Sequence, residues 1–372
     1  MIGVGVVGGL RFLGCRWAPL PLVVRVWSFR VTSARVARVR AGQMGRSALG
    51  LGRARTRKLH ARFERAPNFM GRRTLNSAER PGCPLYAPCM PGTGFDAGRG
   101  RCVLVVTAHA DDAALFLGGT ILRWSDAGWK VVVVRVTDDR WDSVDLDEAT
   151  TIARNLQEFR EAATVLGVAE TVELGYPSDA LGDVAEVDLR EHMIKLVRTY
   201  RPYALVTFDP YAMYGEDNQD HVKVAAAVDE AFWTAQFDKH HPEHLAAGLA
   251  PHGVFERWYF GRRVMDVTDV VDITATLDRK VAAARCHRTP MRNFVHQLRL
   301  QARTGGWSVP FIDDAFESED LDAVGSFVEK LVRGGAARTG EAHNLGAAEE
   351  FRVVRFGGLT ALLDRYGVKL PE

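Results

Sequence analysis

The sequence predicts an α/β protein: a Rossmann-like, mainly parallel sheet with helices on both faces, preceded by a disordered N-terminal leader. Three observations carry this prediction. From about residue 101 onward, short apolar runs of strand length alternate with longer segments of helical period. The apolar runs are continuous, the pattern of strands buried on both faces. The charge also changes sign at the same place. Residues 1–100 hold 17 Arg and one Lys against Glu64, Glu79 and Asp96, a balance of +15, whereas residues 101–372 hold 30 basic and 43 acidic groups, a balance of −13.

The first hundred residues show no sustained helical or strand period. Their longest uncharged stretches, Met1–Leu10 and Trp17–Val24, are too short to span a membrane. The apolar stretch also precedes the positive charges, the reverse of a secretory signal, and Arg72-Arg73 has no apolar run behind it to make a twin-arginine signal. Enrichment in Arg and Ser with few acids fits an organellar transit peptide, and a basic arm without a recognition motif is weak ground for nucleic-acid binding. The segment therefore reads as a dispensable leader or an extension upstream of the native start, with Met44, Met70 and Met90 as later starts. The five cysteines (Cys15, Cys83, Cys89, Cys102 and Cys286) include no CxxC pair and make an odd set, so no disulfide framework is expected. The setting expected is a reducing cytoplasm, with no membrane span and no nucleic-acid partner; a homo-oligomer is left open.

Within the folded part, Cys102–Thr107 (CVLVVT) and Lys130–Val136 (KVVVVRV) read as buried strands, separated by a helical segment Gly118–Ala127 that Gly128 stops. Thr150–Leu166 has a helical period closed by Gly167, Thr171–Leu174 is a short strand, and Leu189–Tyr200 is a helix ended by Arg201-Pro202. Tyr203–Phe208 is the fourth strand and Val222–Phe237 the next helix. Val254–Phe260 and Val264–Ile273 look like later strands, Lys280–Leu300 and Phe316–Val332 like helices, and Gly334–Gly340 like a short flexible joint. Residues 101–290 are read as the main domain and 291–372 as a C-terminal extension packing on it.

Ligands of an open parallel sheet bind beyond the carboxyl ends of its strands, and His109-Ala110-Asp111-Asp112 follows the first strand at that edge. A His and an Asp three apart on a tight strand-to-helix turn can point at one metal, and mixed nitrogen and oxygen donors suit zinc. HxxD is also common by chance, and an Asp after a strand often caps a helix. The fourth strand ends at Asp209, and Asp220-His221 lies one loop later at a helix start, which places His221 to supply a third ligand. Two His, one carboxylate and a free position make a catalytic rather than a structural metal site, with Asp111 left free as a base. Around this edge, Asp138, Asp139, Arg140 and Asp142 read as a polar rim loop, and Tyr211, Tyr214 and Glu216 as substrate contacts before His221. His240, His241 and His244 read as a solvated loop, Trp124 and Trp129 as packing, and His287 either as reaching the site or as capping a helix.

Thr107–Ile121 (TAHADDAALFLGGTI) resembles the signature of the LmbE/PIG-L family of zinc-dependent de-N-acetylases, A-H-P-D-D-E followed by Gly-Gly and an apolar helix. Tyr214–Val222 (YGEDNQDHV) resembles the family's second motif, H-x-D-H. Glu158 with Leu166-Gly167-Val168, and Val271–His287, match later segments more loosely. The resemblance covers roughly residues 102–290. It implies a metal held by His109, Asp112 and His221 (zinc, or another divalent ion such as Fe²⁺) and Asp111 as general base. It further implies Asp179 as a contact for sugar hydroxyls and Asp220 as a carboxylate behind the histidines. The motif's Pro and closing Glu are Ala110 and Ala113 here, and the first His of the second motif is Asn218, which can donate a hydrogen bond to an oxyanion but cannot act as an acid. The implied activity is hydrolysis of an acetamide on an N-acetylglucosaminyl-type small-molecule conjugate, releasing acetate and a free amino sugar. The alternatives are a zinc amidase cleaving a larger sugar-linked amide, and a non-catalytic sugar- or nucleotide-binding module on the same scaffold.

Overall fold

A computed structural model describes Phe95 and residues 98–370 of the chain, apart from 213–214 and 319–320. The chain divides into two units at Ser77/Ala78, and every described residue falls in the second. The readings of residues 1–94, of the three cysteines within them and of Tyr214 therefore lie outside the described residues.

The elements run β1 (Cys102–Thr107), α1 (Asp112–Asp126), β2 (Lys130–Thr137), α2 (Glu148–Leu166), β3 (Glu170–Tyr176), α3 (Glu186–Tyr200), β4 (Ala204–Phe208), α4 (Gln219–Thr234), α5 (Pro242–Ala246) and β5 (Glu256–Phe260). There follow β6 (Asp269–Asp272), α6 (Leu277–Ala284), α7 (Arg288–Thr304), α8 (Pro310–Glu317), α9 (Leu321–Ala342), β7 (Ala348–Arg355) and α10 (Thr360–Tyr366). Seven strands form one sheet in the order β3-β2-β1-β4-β5-β7-β6. The first five are parallel, and β7 runs antiparallel to both β5 and β6. The valines that made β1 and β2 legible are its centre, with Val103 to Val106 opposite Val131 to Val134 and all eight buried. Strand order reverses between β1 and β4, so the loops leaving those two strands open onto the same crevice. No helix among the described residues is long and apolar enough to cross a membrane.

Local chemistry explains most boundaries. The Asp147 carboxylate accepts from Thr150 N at the start of α2, and Gly167 closes that helix with φ 69°, a conformation glycine adopts without strain. Helix α1 begins six residues before the expected Gly118, because a non-helical Leu117 divides it and only its second half has the apolar period. Beyond that break the N–H groups of Gly119 and Thr120 donate to the Glu349 carboxylate, which also takes Lys280 Nζ at 2.6 Å. Gly119 is there for contact: a Cβ would lie 2.6 Å from Ile273 Cγ2.

Three expectations need correction, and one strand had no expectation. The helix expected over Lys280–Leu300 is two helices, α6 and α7, since Pro290 has no N–H to donate and is tolerated only in a first turn; the chain restarts its helix at Arg288. The helix expected over Phe316–Val332 spans the end of α8 and most of α9. The joint expected at Gly334–Gly340 is continuous helix within α9. Each glycine costs about 1 kcal/mol there, against the burial of Phe327, Val328, Val332 and Ala336. Gly340 permits a close return of the chain, since a Cβ would sit 2.7 Å from Leu345 O. Finally, β7 was not foreseen. Its charged residues are paired: Glu349 with Lys280, Arg352 with Asp209, and Arg355 with Asp269 and Glu256.

Glu349→Ala strands the buried Lys280 ammonium and two backbone donors. It is expected to lower the unfolding free energy by about 3–5 kcal/mol, read from urea denaturation; a loss below about 1 kcal/mol would show that this junction of α1, α6 and β7 does not hold the sheet.

Candidate active site

The loops after β1 and β4 meet beyond the sheet edge. His109 Nδ1 and His221 Nε2 face each other at 3.1 Å, Asp112 Oδ1 lies 3.2 Å from His221 Nε2, and Asp112 Oδ2 lies 3.7 Å from His109 Nδ1. Ligands at about 2.0–2.1 Å around a tetrahedral ion stand about 3.3 Å apart, so these three side chains have the spacing of one ion's ligand face. The three side chains also form one of two clusters among the described residues whose donor atoms could hold a metal. The other joins Glu191, His241, Glu243 and His244 between α3 and α5. There His244 is buried against Arg198 rather than solvated as expected, with its Nδ1 3.3 Å from the guanidinium.

Each imidazole has a carboxylate on its outer nitrogen. Asp220 Oδ2 is 3.4 Å from His109 Nε2, and Glu216 Oε2 is 3.0 Å from His221 Nδ1. This is the arrangement in which an outer acceptor fixes the tautomer and directs the inner lone pair at a metal. Asp220 is itself fixed by the N–H groups of Asp179, at 2.6 Å, and Leu181, at 3.2 Å. Glu216 was expected at the substrate. Its carboxylate instead serves His221, Asn218 N and Arg262 Nε.

The histidines are held with excess negative charge. Burial pulls the His109 pKa down, but its contact with Asp220 and the charges of Asp112, Asp139 and Asp111 outweigh that and leave it well above the usual value. Burial likewise opposes the Asp112 and Glu216 contacts at His221, which still lift its pKa to about 9. Burial would raise Asp112, and the two histidines more than reverse it. Asp111 goes the other way: burial, then the charges of Asp112 and Asp142, push its pKa well up. Asp111 stands at the cap position of α1 but makes no side-chain capping bond. Its carboxyl group lines a cavity of ≈ 950 Å³ that also reaches His109, Asp112, Asp142, Asp179, Asn218 and His221. Asn218 caps α4 through Oδ1, which accepts from Asp220 N at 2.9 Å, leaving its amide N–H groups as what it can offer the cavity.

Some residues behave differently from their expectations. Asp139, read as rim, is buried beneath the motif. Its carboxylate accepts from Ala110 N, Arg135 Nη1 and Thr137 Oγ1, while burial lifts its pKa to about 6. A carboxylate two residues past a strand, with an Arg four residues earlier, was the available signal. Asp209 faces away, in a bidentate pair with Arg352. His287 occupies the cap position of α7 but caps nothing with its ring. It is buried, both ring nitrogens lack a partner, and burial lowers its pKa to about 3. Asp142 lines the cavity and is held by Asn293 Nδ2 at 2.7 Å.

Residues 104–232 match the PIG-L family, described as GlcNAc-PI de-N-acetylase. Over these residues, about a third of the chain, the sequence is similar to the PIG-L (LmbE) family. Its relatives include the diacetylchitobiose deacetylase of Thermococcus kodakarensis, 29% identical over 202 residues that make up 53% of this chain and 72% of that protein. The 1D-myo-inositol 2-acetamido-2-deoxy-alpha-D-glucopyranoside deacetylase of Mycobacteroides abscessus is 31% identical over 159 residues, 36% of this chain and 57% of the relative. Among solved structures, the N,N'-diacetylchitobiose deacetylase from Pyrococcus horikoshii superposes with a TM-score of 0.55 at 25% identity, covering 70% of this chain and 85% of that one. The matched residues thus contain both facing loops, while α6, α7, α9 and β7, which supply other cavity walls, lie beyond them.

The raised pKa of His221 fixes a pH dependence for protein stripped of metal. A histidine with a folded pKa of about 9 and an unfolded value near 6.5 gives its full stabilisation below about pH 6.5 and loses it as pH rises toward 9. Metal-free protein is expected to melt at a lower temperature at pH 9 than at pH 6.5, and His221→Ala to flatten that slope. An unchanged slope in the variant would remove His221 as its source.

Proposed function

We propose that the chain is a metal-dependent hydrolase that removes the acetyl group from an N-acetylglucosaminyl-type small-molecule conjugate, releasing acetate and a free amino sugar. One observation carries the reading: His109, Asp112 and His221 converge on one point at the mouth of a cavity that the unengaged Asp111 carboxyl also lines. The family and the named activities of the relatives support the substrate class. The donor set, two imidazole nitrogens and a carboxylate, suits zinc or ferrous iron.

A divalent ion held by His109, Asp112 and His221 would supply a Lewis acid for the acetamide carbonyl and would lower the pKa of water toward about 7. The remaining work falls to this chain's own side chains. Asp111 takes a proton from the attacking water as its oxygen bonds to the carbonyl carbon. Asn218, its Oδ1 occupied by the helix cap, offers N–H to the oxygen that gains negative charge. Asp111 then returns the proton to the amine nitrogen as the C–N bond breaks, a task its upward-shifted pKa favours. Asp220 and Glu216 hold the two imidazoles in their tautomers throughout. Asp179, exposed at the cavity wall, is placed for hydroxyl groups of the sugar.

Three variants test these roles by acetate release and metal content. Asp111→Asn is expected to lower kcat by about 10²–10⁴ with one metal per chain retained, whereas His221→Ala loses the metal. Full hydrolysis by Asp111→Asn, or purified protein that binds no metal, would leave a sugar-binding module as the better reading. Asn218→Asp keeps a good helix cap but removes the N–H donor, and a fall in kcat of about 10²-fold or more with unchanged melting temperature is expected.

A further inference from the structure

We infer that Arg352, on the C-terminal strand β7, is a positioning residue for the metal centre: by gripping Asp209 it fixes the turn that delivers Glu216 to His221. The inference rests on the reading of His109, Asp112 and His221 as metal ligands.

Asp209 is the first residue beyond β4, at the edge where the site is built. Its side chain is buried and held by a two-pronged pair. Arg352 Nη2 donates to Oδ1 at 2.6 Å, and Arg352 Nε to Oδ2 at 3.1 Å. The arginine reaches across β5 to make this pair. It stands opposite Tyr259 in the sheet, and its guanidinium lies 4.1 Å from the centre of that ring and 4.9 Å from the centre of the Tyr211 ring. Two aromatic rings and both carboxylate oxygens thus fix the guanidinium, which a lysine ammonium cannot reproduce.

Strand β7 has other anchors. It is hydrogen-bonded to β5 and β6, and Glu349 and Arg355 tie its two ends to Lys280 and Glu256. The consequence of the Arg352 pair falls instead on its partner. From Asp209 the connection toward α4 is built of short ties. Tyr211 N donates to Asp209 Oδ1 at 3.0 Å, Ala212 N to Asp209 O at 3.1 Å, and Gly215 N to Ala212 O at 3.0 Å. Glu216 follows at once. Its Oε1 accepts from Asn218 N and Arg262 Nε, and its Oε2 meets His221 Nδ1 at 3.0 Å. Two cations therefore hold this connection, Arg352 at its start and Arg262 near its end. Without Arg352 the Asp209 carboxylate is a buried charge that has lost its cation, and it gains by turning toward water. The turn built on that carboxylate and its carbonyl moves with it, and Glu216 loses its bearing on His221. Loss of an outer carboxylate's hold on a ligating histidine weakens metal binding about 10–100-fold.

The test uses the full chain and Zn²⁺ alone, with the dissociation constant read by competition against a chelating dye. Arg352→Gln is expected to raise that constant about 10–100-fold, and Arg352→Lys, which keeps the charge but not the fork, by less. Arg355→Gln breaks another β7 ion pair, with Glu256 and Asp269, and is expected to lower the melting temperature while zinc affinity stays unchanged. Arg352→Gln should add nothing to Glu216→Gln, since both remove the same orientation of His221. Unchanged affinity in Arg352→Gln, or losses that add in the double variant, would overturn the inference; where Arg352→Gln does not fold, Arg352→Lys enters the same cycle. Amide exchange on metal-free protein reads the positioning without any ion. The N–H groups of Tyr211, Gly215 and Asn218 should exchange faster in Arg352→Gln and not in Arg355→Gln. A wild type that binds no zinc would defeat the metal reading, while exchange at these three amides would still decide for or against Arg352.

Discussion

His109 and His221 turn one nitrogen each toward the other at 3.1 Å, and their other nitrogens are claimed by Asp220 and Glu216. A neutral imidazole carries one proton. If each ring donates outward to its carboxylate, both inner nitrogens present lone pairs across a gap too short for repulsion to be tolerated in a buried site. A positive charge between them resolves the conflict, and two species can supply it. Without metal it is a proton: burial opposes it, but the carboxylates around the two imidazoles outweigh burial and make both bind protons more tightly than usual. In the proposed metal-bound enzyme it would be the ion, with Asp112 completing the face. The same excess of carboxylates, from Asp111, Asp112, Asp139, Glu216 and Asp220, is therefore destabilising except where cationic charge is present.

Much of the remaining architecture serves to hold that conflict in place. The reversal of strand order between β1 and β4 brings together two loops about a hundred residues apart in sequence. Asp139 ties the β1 loop from below through Ala110 N, and is in turn neutralised by Arg135, a charged side chain buried in β2 for this purpose. Asp220 is anchored by the backbone at Asp179 and Leu181, so the segment after β3 fixes the tautomer of a histidine after β1. Rigid placement of this kind matters more than the count of contacts, since small displacements of reacting groups are costly.

The legible parts of the molecule were those with a local signature. Apolar runs marked β1, β2 and β4, Gly167 marked the end of α2, and His109 and Asp112 followed a strand end while His221 stood at a helix start one loop after another, on the edge where parallel sheets bind ligands. What stayed hidden depended on partners distant in sequence. β7 went unread because Lys280 and Asp209, which neutralise its Glu349 and Arg352, are 69 and 143 residues away. Glu216 looked available to substrate because the sequence does not show the imidazole turned toward it. The glycines of α9 suggested a joint because helix propensity is a local quantity, whereas the packing that overrides it is not.

Asn218 shows how one position can answer to two demands. As a cap it starts α4, the helix whose first turn carries Asp220 and His221, and asparagine is among the best residues for that task. Capping spends its oxygen and leaves its N–H groups, so what it can give the reaction is a hydrogen bond and never a proton. In the proposed reaction the proton then travels on one carboxyl group in both directions. That group needs a pKa high enough to release nothing prematurely and an environment that does not tie it down. Asp111 meets both conditions: burial and neighbouring carboxylates raise it, and at a helix cap position it forms no capping bond. The loss of an acid at 218 and the freedom of the carboxyl at 111 are thus two sides of one arrangement.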